Sequence, residues 1–502
     1  MRIITRIILF VAAVCLFACG LFACGGDRGA GRGGDITVQL TYPGSSGANA
    51  GYKSVSALSE NATSLASYPL DPSNRILIRI LGPDFSPMEA WFSRSEGEGV
   101  IKNVPPGSKI VVEVDEYDSS AFLIGTNAEL LGRGWVQGIT LAAGEAKTVD
   151  VAMHARGTIL TICGAQAVNG QGVEGDSGDG GLASEARISS PQAVKVGPDD
   201  SIYISFYSGY ESIKIRVRRI DRYGYISHFA GVGTWGSPIP TTGAAVSSAY
   251  VGVVSDIDID PSGNVYFLSG SMRRILKITD GMISRVSVVQ GGTSGWFSFA
   301  VVNEDELYSV SPDYNRVFQN SGSFIDEFVR DDMPHSSSEP FNRLHYPING
   351  PSGITYASKS NSLIFADRDN NRIMELNFSD NLIRFLVGNE TNSGTFQEGV
   401  APRSMAPSSP HIIKFNPITG KIFFVGNSES RVFYITPDNT VRTFAGDGTP
   451  GFSGDGSRSD KARLRIPIGV SVDSRGNVYI ADLGNYAIRM VVGGALGELP
   501  PP

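Results

Sequence analysis

Short apolar, often β-branched runs alternate with polar positions along most of the chain, and no stretch keeps the period of an amphipathic helix. In the first third such runs stand at residues 36–40, 75–81, 109–114 and 147–153, with turns such as Pro105-Pro106-Gly107 between them. The pattern predicts a small antiparallel β-sandwich over 36–156. The Ser- and Ala-rich stretch 44–71 reads as a long surface loop.

From residue 157 to 494 the pattern repeats. An apolar strand, a turn, a second apolar strand, a polar turn, then Arg with an aliphatic neighbour and a third strand recur as one cassette. The second strand appears as Ser201-Ile202-Tyr203-Ile204, Asn264-Val265-Tyr266-Phe267, Glu306-Leu307-Tyr308-Ser309, Ser362-Leu363-Ile364-Phe365, Lys421-Ile422-Phe423-Phe424 and Asn477-Val478-Tyr479-Ile480. These six copies are spaced like four-stranded propeller blades with loop insertions. The Arg step follows in five of them, at Arg216, Arg274, Arg316, Arg372 and Arg431; Ala487 stands in the sixth. The copy at 306–320 is expected to be shortened and degenerate, and the first carries an insertion near Tyr207.

Two passages carry a family resemblance: 469–489, with Asn477-Val478-Tyr479-Ile480-Ala481-Asp482, and 364–373, with Ala366-Asp367-Arg368-Asp369-Asn370-Asn371-Arg372. They resemble NHL-repeat β-propellers, which implies an all-β fold with six blades over 157–494 and a short tail at 495–502. The closing fourth-strand pattern, Phe229-Ala230-Gly231 or Phe444-Ala445-Gly446, is missing after the last blade, yet 158–164 carries it ahead of the first. The expected architecture is therefore a ring whose N-terminal strand completes the C-terminal blade and removes two open sheet edges. In the first third, Val104-Pro105-Pro106-Gly107-Ser108-Lys109 and Gly144-Glu145-Ala146-Lys147-Thr148 resemble transthyretin-like or carboxypeptidase-regulatory-like sandwiches.

The N-terminus changes the picture from fold to address. Met1, Arg2 and Arg6 precede an apolar run from 7 to 22, the form of an export signal. It ends in Leu21-Phe22-Ala23-Cys24-Gly25, which resembles a bacterial lipobox, with a second copy at Leu16-Phe17-Ala18-Cys19. Cys24 is preferred because it leaves the longer apolar run, so residues 1–24 read as a lipoprotein signal and 25–35, rich in glycine, as a flexible tether. The resemblance implies a membrane partner through the lipid and an extracytoplasmic place in a bacterial envelope, at the outer membrane or cell surface. Of four cysteines only Cys163 falls in the folded part, where it reads as a buried small hydrophobe.

Charge and composition narrow the function. The 42 basic and 50 acidic residues give a formal charge of −8, which provides no basic field for nucleic acid. The 60 glycines in 502 residues fit many tight turns. Two Gly-Asp loops, 175–181 and 446–456, offer Asp176, Asp179, Asp447 and Asp455 as oxygen ligands, but Asp-Gly is also turn chemistry, and the structural reading is preferred. Asp367 and Asp482, with the five repeat arginines, read as staples of the blade turns. Trp91 and Trp135 read as buried core rather than as a ligand platform.

Two enzyme classes on six-bladed scaffolds serve as comparison. A lyase of the peptidyl-hydroxyglycine type needs histidines from several blades on one zinc, and the inner-strand positions Gln192, Ser255, Ser352, His411 and Ile468 include one histidine. The gluconolactonase type needs carboxylates and Asn converging on axial calcium, and none is expected at those positions. The chain is therefore read as a non-catalytic binding or scaffold protein without cofactor or metal, recognising protein or glycan through insertion loops that carry Tyr207, Tyr210, Trp235, His335 and His345. A metal-dependent hydrolase or lyase is the alternative.

Overall fold

The computed structural model describes residues 34–41, 74–94, 99–118, 129–164, 173–208, 214–231, 243–289, 298–321, 324–329, 341–342, 346–389, 398–405, 407–426, 429–436 and 439–496. These are strands joined by turns and single 3-10 turns. Among the described residues no helix is long and apolar enough to cross a membrane.

Seven strands come first: β1 (Gly34–Thr41), β2 (Arg75–Gly82), β3 (Phe85–Ser93), β4 (Gly99–Val104), β5 (Gly107–Tyr117), β6 (Leu130–Leu141) and β7 (Ala146–Ala155). They form one hydrogen-bonded sheet in the order β3-β2-β5-β6-β7-β1-β4. Period-two alternation turns Ile76, Ile78 and Ile80 of β2 and Val112 and Val114 of β5 to one face. There they meet Ile36, Val38, Val149 and Val151, so the sheet folds over a single core. The purely antiparallel expectation fails at one pair: β1 runs parallel to β7, from Asp35 opposite Ala146 to Thr41 opposite Ala152. Alternation reports which face a residue occupies and is silent on strand direction, so the sequence held no sign of it.

The strand β8 (Ile159–Gly164) follows, and then the blades. Blade 1 is β9 (Pro191–Val196), β10 (Ile202–Ser208), β11 (Lys214–Ile220) and β12 (Ile226–Ala230). Blade 2 adds the two-residue β13 (Ala244–Ala245) to β14 (Val254–Ile259), β15 (Val265–Ser269), β16 (Arg274–Thr279) and β17 (Met282–Val288). Blade 3 is β18 (Phe299–Asn303), β19 (Glu306–Ser311), β20 (Arg316–Ser321) and β21 (Phe324–Val329). Blade 4 adds β22 (Phe341–Asn342) to β23 (Ile354–Ala357), β24 (Ser362–Asp367), β25 (Arg372–Asn377) and β26 (Leu382–Val387). Blade 5 is β27 (Pro410–Phe415), β28 (Ile422–Gly426), β29 (Val432–Ile435) and β30 (Val441–Ala445). Blade 6 is β31 (Pro467–Val472), β32 (Val478–Asp482), β33 (Ala487–Val491) and, as its outer strand, β8.

The molecule is thus all-β with a six-bladed propeller. Blade 3, expected to be shortened and degenerate, has its full four strands; its inner strand departs from the repeat signature but keeps the apolar run that packing requires. Each blade shares a buried core with the next, as where Tyr203 and Val217 of blade 1 pack with Phe267 and Leu276 of blade 2. Blades 6 and 1 share one too, through Tyr479 and Ile488 against Ile204 and Ile220. β8 pairs antiparallel with β33, Ile159 opposite Val491 and Gly164 opposite Ala487. Cys163 on β8 is fully buried, and burial pushes its thiol up to about 12.

Candidate functional site

The axis comes first, because six-bladed enzymes do their chemistry there. Inner strands β9, β14, β27 and β31 each carry an irregularity in register at Gln192, Ser255, His411 or Ile468. Ser298, just ahead of β18, is the blade-3 counterpart that the repeat reading missed. The side chains that matter sit one and three residues further on. Asp256 and Asp258 of blade 2 are carboxylates at these two places on the inner strand β14. Lys414 of blade 5 reaches Asp256 at 3.2 Å, and blade 5 stands opposite blade 2 in the ring, so this ion pair crosses the axis. Ser298 Oγ of blade 3 donates to Asp256 Oδ2 at 2.6 Å. Lys195 of blade 1 pairs with Asp258 at 2.5 Å, and the Val301 amide of blade 3 donates to its other oxygen at 2.8 Å. Burial alone would raise the Asp258 carboxyl, but Lys195 and Lys414 hold it below its ordinary value; burial lowers the Lys414 ammonium, and Asp256 and Asp258 more than restore it. Four blades are laced together by two cations and two anions. His411, buried on β27 three residues ahead of Lys414, is kept toward its neutral form mainly by desolvation.

The Gly-Asp loops prove to be arginine-held turns. Arg218 on β11 donates to Asp179 at 2.8 Å and to the carbonyls of Arg187 and Ser177 at 3.0 and 3.2 Å. Arg489 on β33 repeats the arrangement with Asp455 at 2.6 Å, Ser453 O at 3.2 Å and Arg463 O at 3.5 Å. Both guanidinium side chains are fully buried. Gly178 and Gly454 adopt φ of +96° and +92°, and a Cβ on either would sit within 3 Å of Ala186 or Ala462, so each loop requires glycine. Among the described residues no group of three or more His, Cys, Asp and Glu side chains could hold a metal ion.

The repeat arginines make lighter contacts. Arg216 lies 3.4 Å from Asp176, and Arg316 lies 3.6 Å from Glu327. Arg372 donates to Tyr346 Oη at 3.1 Å and lies over the Phe385 ring, Arg431 donates to Asp447 O at 2.8 Å, and Arg274 to Arg273 O at 3.0 Å. In blade 6, where Ala487 replaces the repeat arginine, Arg489 two residues on takes a deeper place. Asp367 and Asp482 each accept a backbone amide at 2.7 Å, from Asn349 and Arg465, and the side-chain amide of Asn370 or Asn485. Burial pushes both carboxyls up to about 6.

A cleft of about 540 Å³ lies where the N-terminal sheet meets blades 1 and 6. The sheet's outer face carries cross-strand pairs: Arg79 opposite Glu89 and Glu113, Glu113 opposite Trp135, and Asp115 opposite Arg133. Such a face would ordinarily meet water, but here the propeller covers it. Arg475 of blade 6 pairs with Glu113 at 2.5 Å, and Arg133 donates to Asn477 at 2.8 Å. Burial raises the Asp115 carboxyl, yet Arg133 and Arg79 outweigh it and hold the group at about 2. Trp135 is half-buried against the core of blades 6 and 1. Trp91, expected in the core, is 42% exposed on edge strand β3, its ring 5.7 Å from Tyr117. An edge strand has a neighbour on one side only, so its outward residues stay open.

Of the loop residues expected to make contact, Tyr207 stands exposed at 36% near the end of β10. Tyr210, Trp235, His335 and His345, like Cys24, lie outside the described residues. The sequence reading missed the cleft altogether.

No family model matches the chain. The curated Protein SUPPRESSOR OF QUENCHING 1, chloroplastic, of Arabidopsis thaliana is 28% identical over 144 residues, 28% of this chain and 14% of that protein. Among solved structures, an auxiliary nutrient binding protein from Bacteroides ovatus is 14% identical with a TM-score of 0.49, covering 83% of this chain and 93% of that one. A protein of unknown function from Bacteroides thetaiotaomicron is 12% identical, also at 0.49, over 83% and 90%. Virginiamycin B lyase from Staphylococcus aureus is 16% identical at 0.35, over 60% and 94%. At these levels the likenesses assign neither ligand nor activity to this chain.

Proposed function

We propose that the protein is a lipid-anchored, extracytoplasmic binding or scaffold protein of a bacterial cell envelope, non-catalytic, that recognises protein or glycan. The observation that carries this reading is the filled axis. A metal-dependent hydrolase or lyase needs open ligand atoms from at least three blades around one point. In this chain the Lys414 ammonium lies against Asp256 and Lys195 against Asp258, so the axial carboxylates already have their cations. Charge that is satisfied from within leaves recognition to the outer surfaces.

The finer organisation belongs to the same proposal. Cys24 bears the lipid, 25–35 is the tether, 36–156 is a transthyretin-like sandwich module, and 157–494 is an NHL-type ring with a tail at 495–502. Pairing of β8 with β33 supports closure of that ring by its terminal strands, since it covers the outer edge of the sixth sheet. Tyr207, Tyr210, Trp235, His335 and His345 are the rim residues assigned to contact.

The test combines metal content with anchoring. Full-length protein purified in detergent and dialysed against EDTA is expected to stay folded and metal-free, with an unchanged melting temperature. A stoichiometric calcium or zinc ion whose removal lowers the melting temperature would overturn the reading. Cys24→Ser is expected to abolish acyl labelling and membrane retention; loss on Cys19→Ser instead would move the anchor.

A further inference from the structure

We propose that the cleft between the N-terminal sheet and blades 1 and 6 binds a short neutral oligosaccharide. This goes beyond the rim-loop reading and does not depend on the loops. At about 540 Å³ the cleft has the size of a small-molecule site, and such sites favour domain junctions.

Its charges exclude an ionic ligand. Four arginines and four acidic side chains line it, and three of the arginines are already engaged: Arg79 with Glu89 and Asp115, Arg133 with Asp115, and Arg475 with Glu113. No single sign of field remains to select an anion or a cation. What remains is a set of planar groups, locked by their own ion pairs, with outward donors and acceptors left over.

Both walls mix apolar and charged groups. The propeller side presents Ile162, Leu182, Ile202 and Met490 beside Asp200, Asp221 and Arg222, and the sheet side presents the charged ladder beside Leu81 and the half-buried Trp135 ring. A sugar ring offers the same mixture, C–H faces for the apolar side chains and hydroxyls for the polar ones. A purely apolar ligand would leave the ladder's spare donors and acceptors dry.

Two polar side chains of the cleft make no hydrogen bond among the described residues. Thr161 Oγ1, on β8 in the cleft wall, is buried and makes no hydrogen bond. Gln137 makes none among the described residues, and its amide is packed so close to Gly224, at φ +85°, that a Cβ there would lie 2.1 Å from Gln137 Nε2. A buried hydroxyl without a partner is costly, and a ligand hydroxyl satisfies it.

Isothermal titration of the full chain in detergent with maltotriose, cellotriose, mannotriose and xylotriose tests the assignment. At least one is expected to bind. Its Kd should rise about tenfold in Gln137→Ala and severalfold in Thr161→Val, both still folded by circular dichroism, and stay unchanged in Tyr207→Ala. Because the site is charge-balanced, raising NaCl from about 0.05 to 0.5 M should leave the Kd within about twofold. Failure of all four sugars to bind, or a steep salt dependence, would overturn the inference. Sugar binding that survives both cleft variants but falls in Tyr207→Ala would overturn it too, and would leave recognition at the rim standing.

Discussion

Blades 1 and 6 bury an arginine in the third strand, Arg218 and Arg489, where blades 2 to 5 place Leu276, Phe318, Met374 and Phe433 at the equivalent position. The difference follows what each blade must hold. In blades 2, 4 and 5 that position is one more apolar side chain in an inter-blade core, and in blade 3 it is a buried phenylalanine. In blades 1 and 6 the loop leading into the blade is a Gly-Asp turn that carries the seam with the N-terminal part of the molecule. The blade-6 loop bonds the chain as it enters the propeller, with Ile159 N donating to Ser457 O at 2.9 Å and Ser459 N to Gly157 O at 2.9 Å. The blade-1 loop bonds β12 through Gly180 and Gly181 and lines the cleft at Leu182. An apolar plug tolerates several shapes, whereas a guanidinium with fixed acceptors tolerates one. Buried charge is thus used where the path of an irregular loop has to be specified, and apolar packing where regular strands already specify it.

The strongest way to break this comparison is to give blade 6 the residue of blade 4. Arg489→Met leaves Asp482 buried beside an apolar side chain and frees two loop carbonyls, and is expected to cost about 3–5 kcal/mol in urea unfolding. Asp455→Asn, at the half-exposed end of the same pair, should cost under about 1 kcal/mol. If the two cost the same, the buried end has no special role. The converse exchange, Met374→Arg, puts a guanidinium into a blade with no Gly-Asp loop to receive it. A loss of at least about 2 kcal/mol is expected, and a neutral result would show that the site, not the loop, makes the arginine acceptable.

The smallest effect sharpens the comparison through pH. Asp367 and Asp482 titrate at about 6 in the fold against an ordinary 3.8. Between those values the folded protein holds protons that the unfolded chain has released. Their contribution to stability is therefore complete below about pH 3.8 and is lost as pH rises through 6. Asp115, at about 2, works oppositely, its contribution being lost only as pH falls from 3.8 through 2. The urea midpoint should thus rise as pH is lowered from 7.5 to 5, and the rise should shrink in Asp482→Asn. An unchanged slope would place the titration elsewhere.

Much of the propeller was legible because its second strands repeat an apolar signature such as Val265-Tyr266-Phe267 that survives insertion between blades. The buried arginines were not. β11 reads Lys-Ile-Arg-Val-Arg-Arg-Ile, which by alternation is a strand with a solvent-facing charged side, and only the loop above it makes Arg218 interior. The axial pairs were hidden for another reason: Lys414 and Asp256 are 158 residues apart, and each alone is an unremarkable polar residue in an inner strand. At the cleft, a charged sheet face looks the same in sequence whether water or a second domain covers it, so Glu113 and Asp115 gave no indication of Arg475.

The Lys414–Asp256 contact also constrains how this architecture can evolve. Diametric partners exist only when the number of wedges is even. Duplicating or deleting one wedge by recombination would move the two charges off the diameter and break the contact across the hub. Growth or shrinkage by a single repeat, the easiest change for a tandem array, is barred unless the hub is rebuilt at the same time.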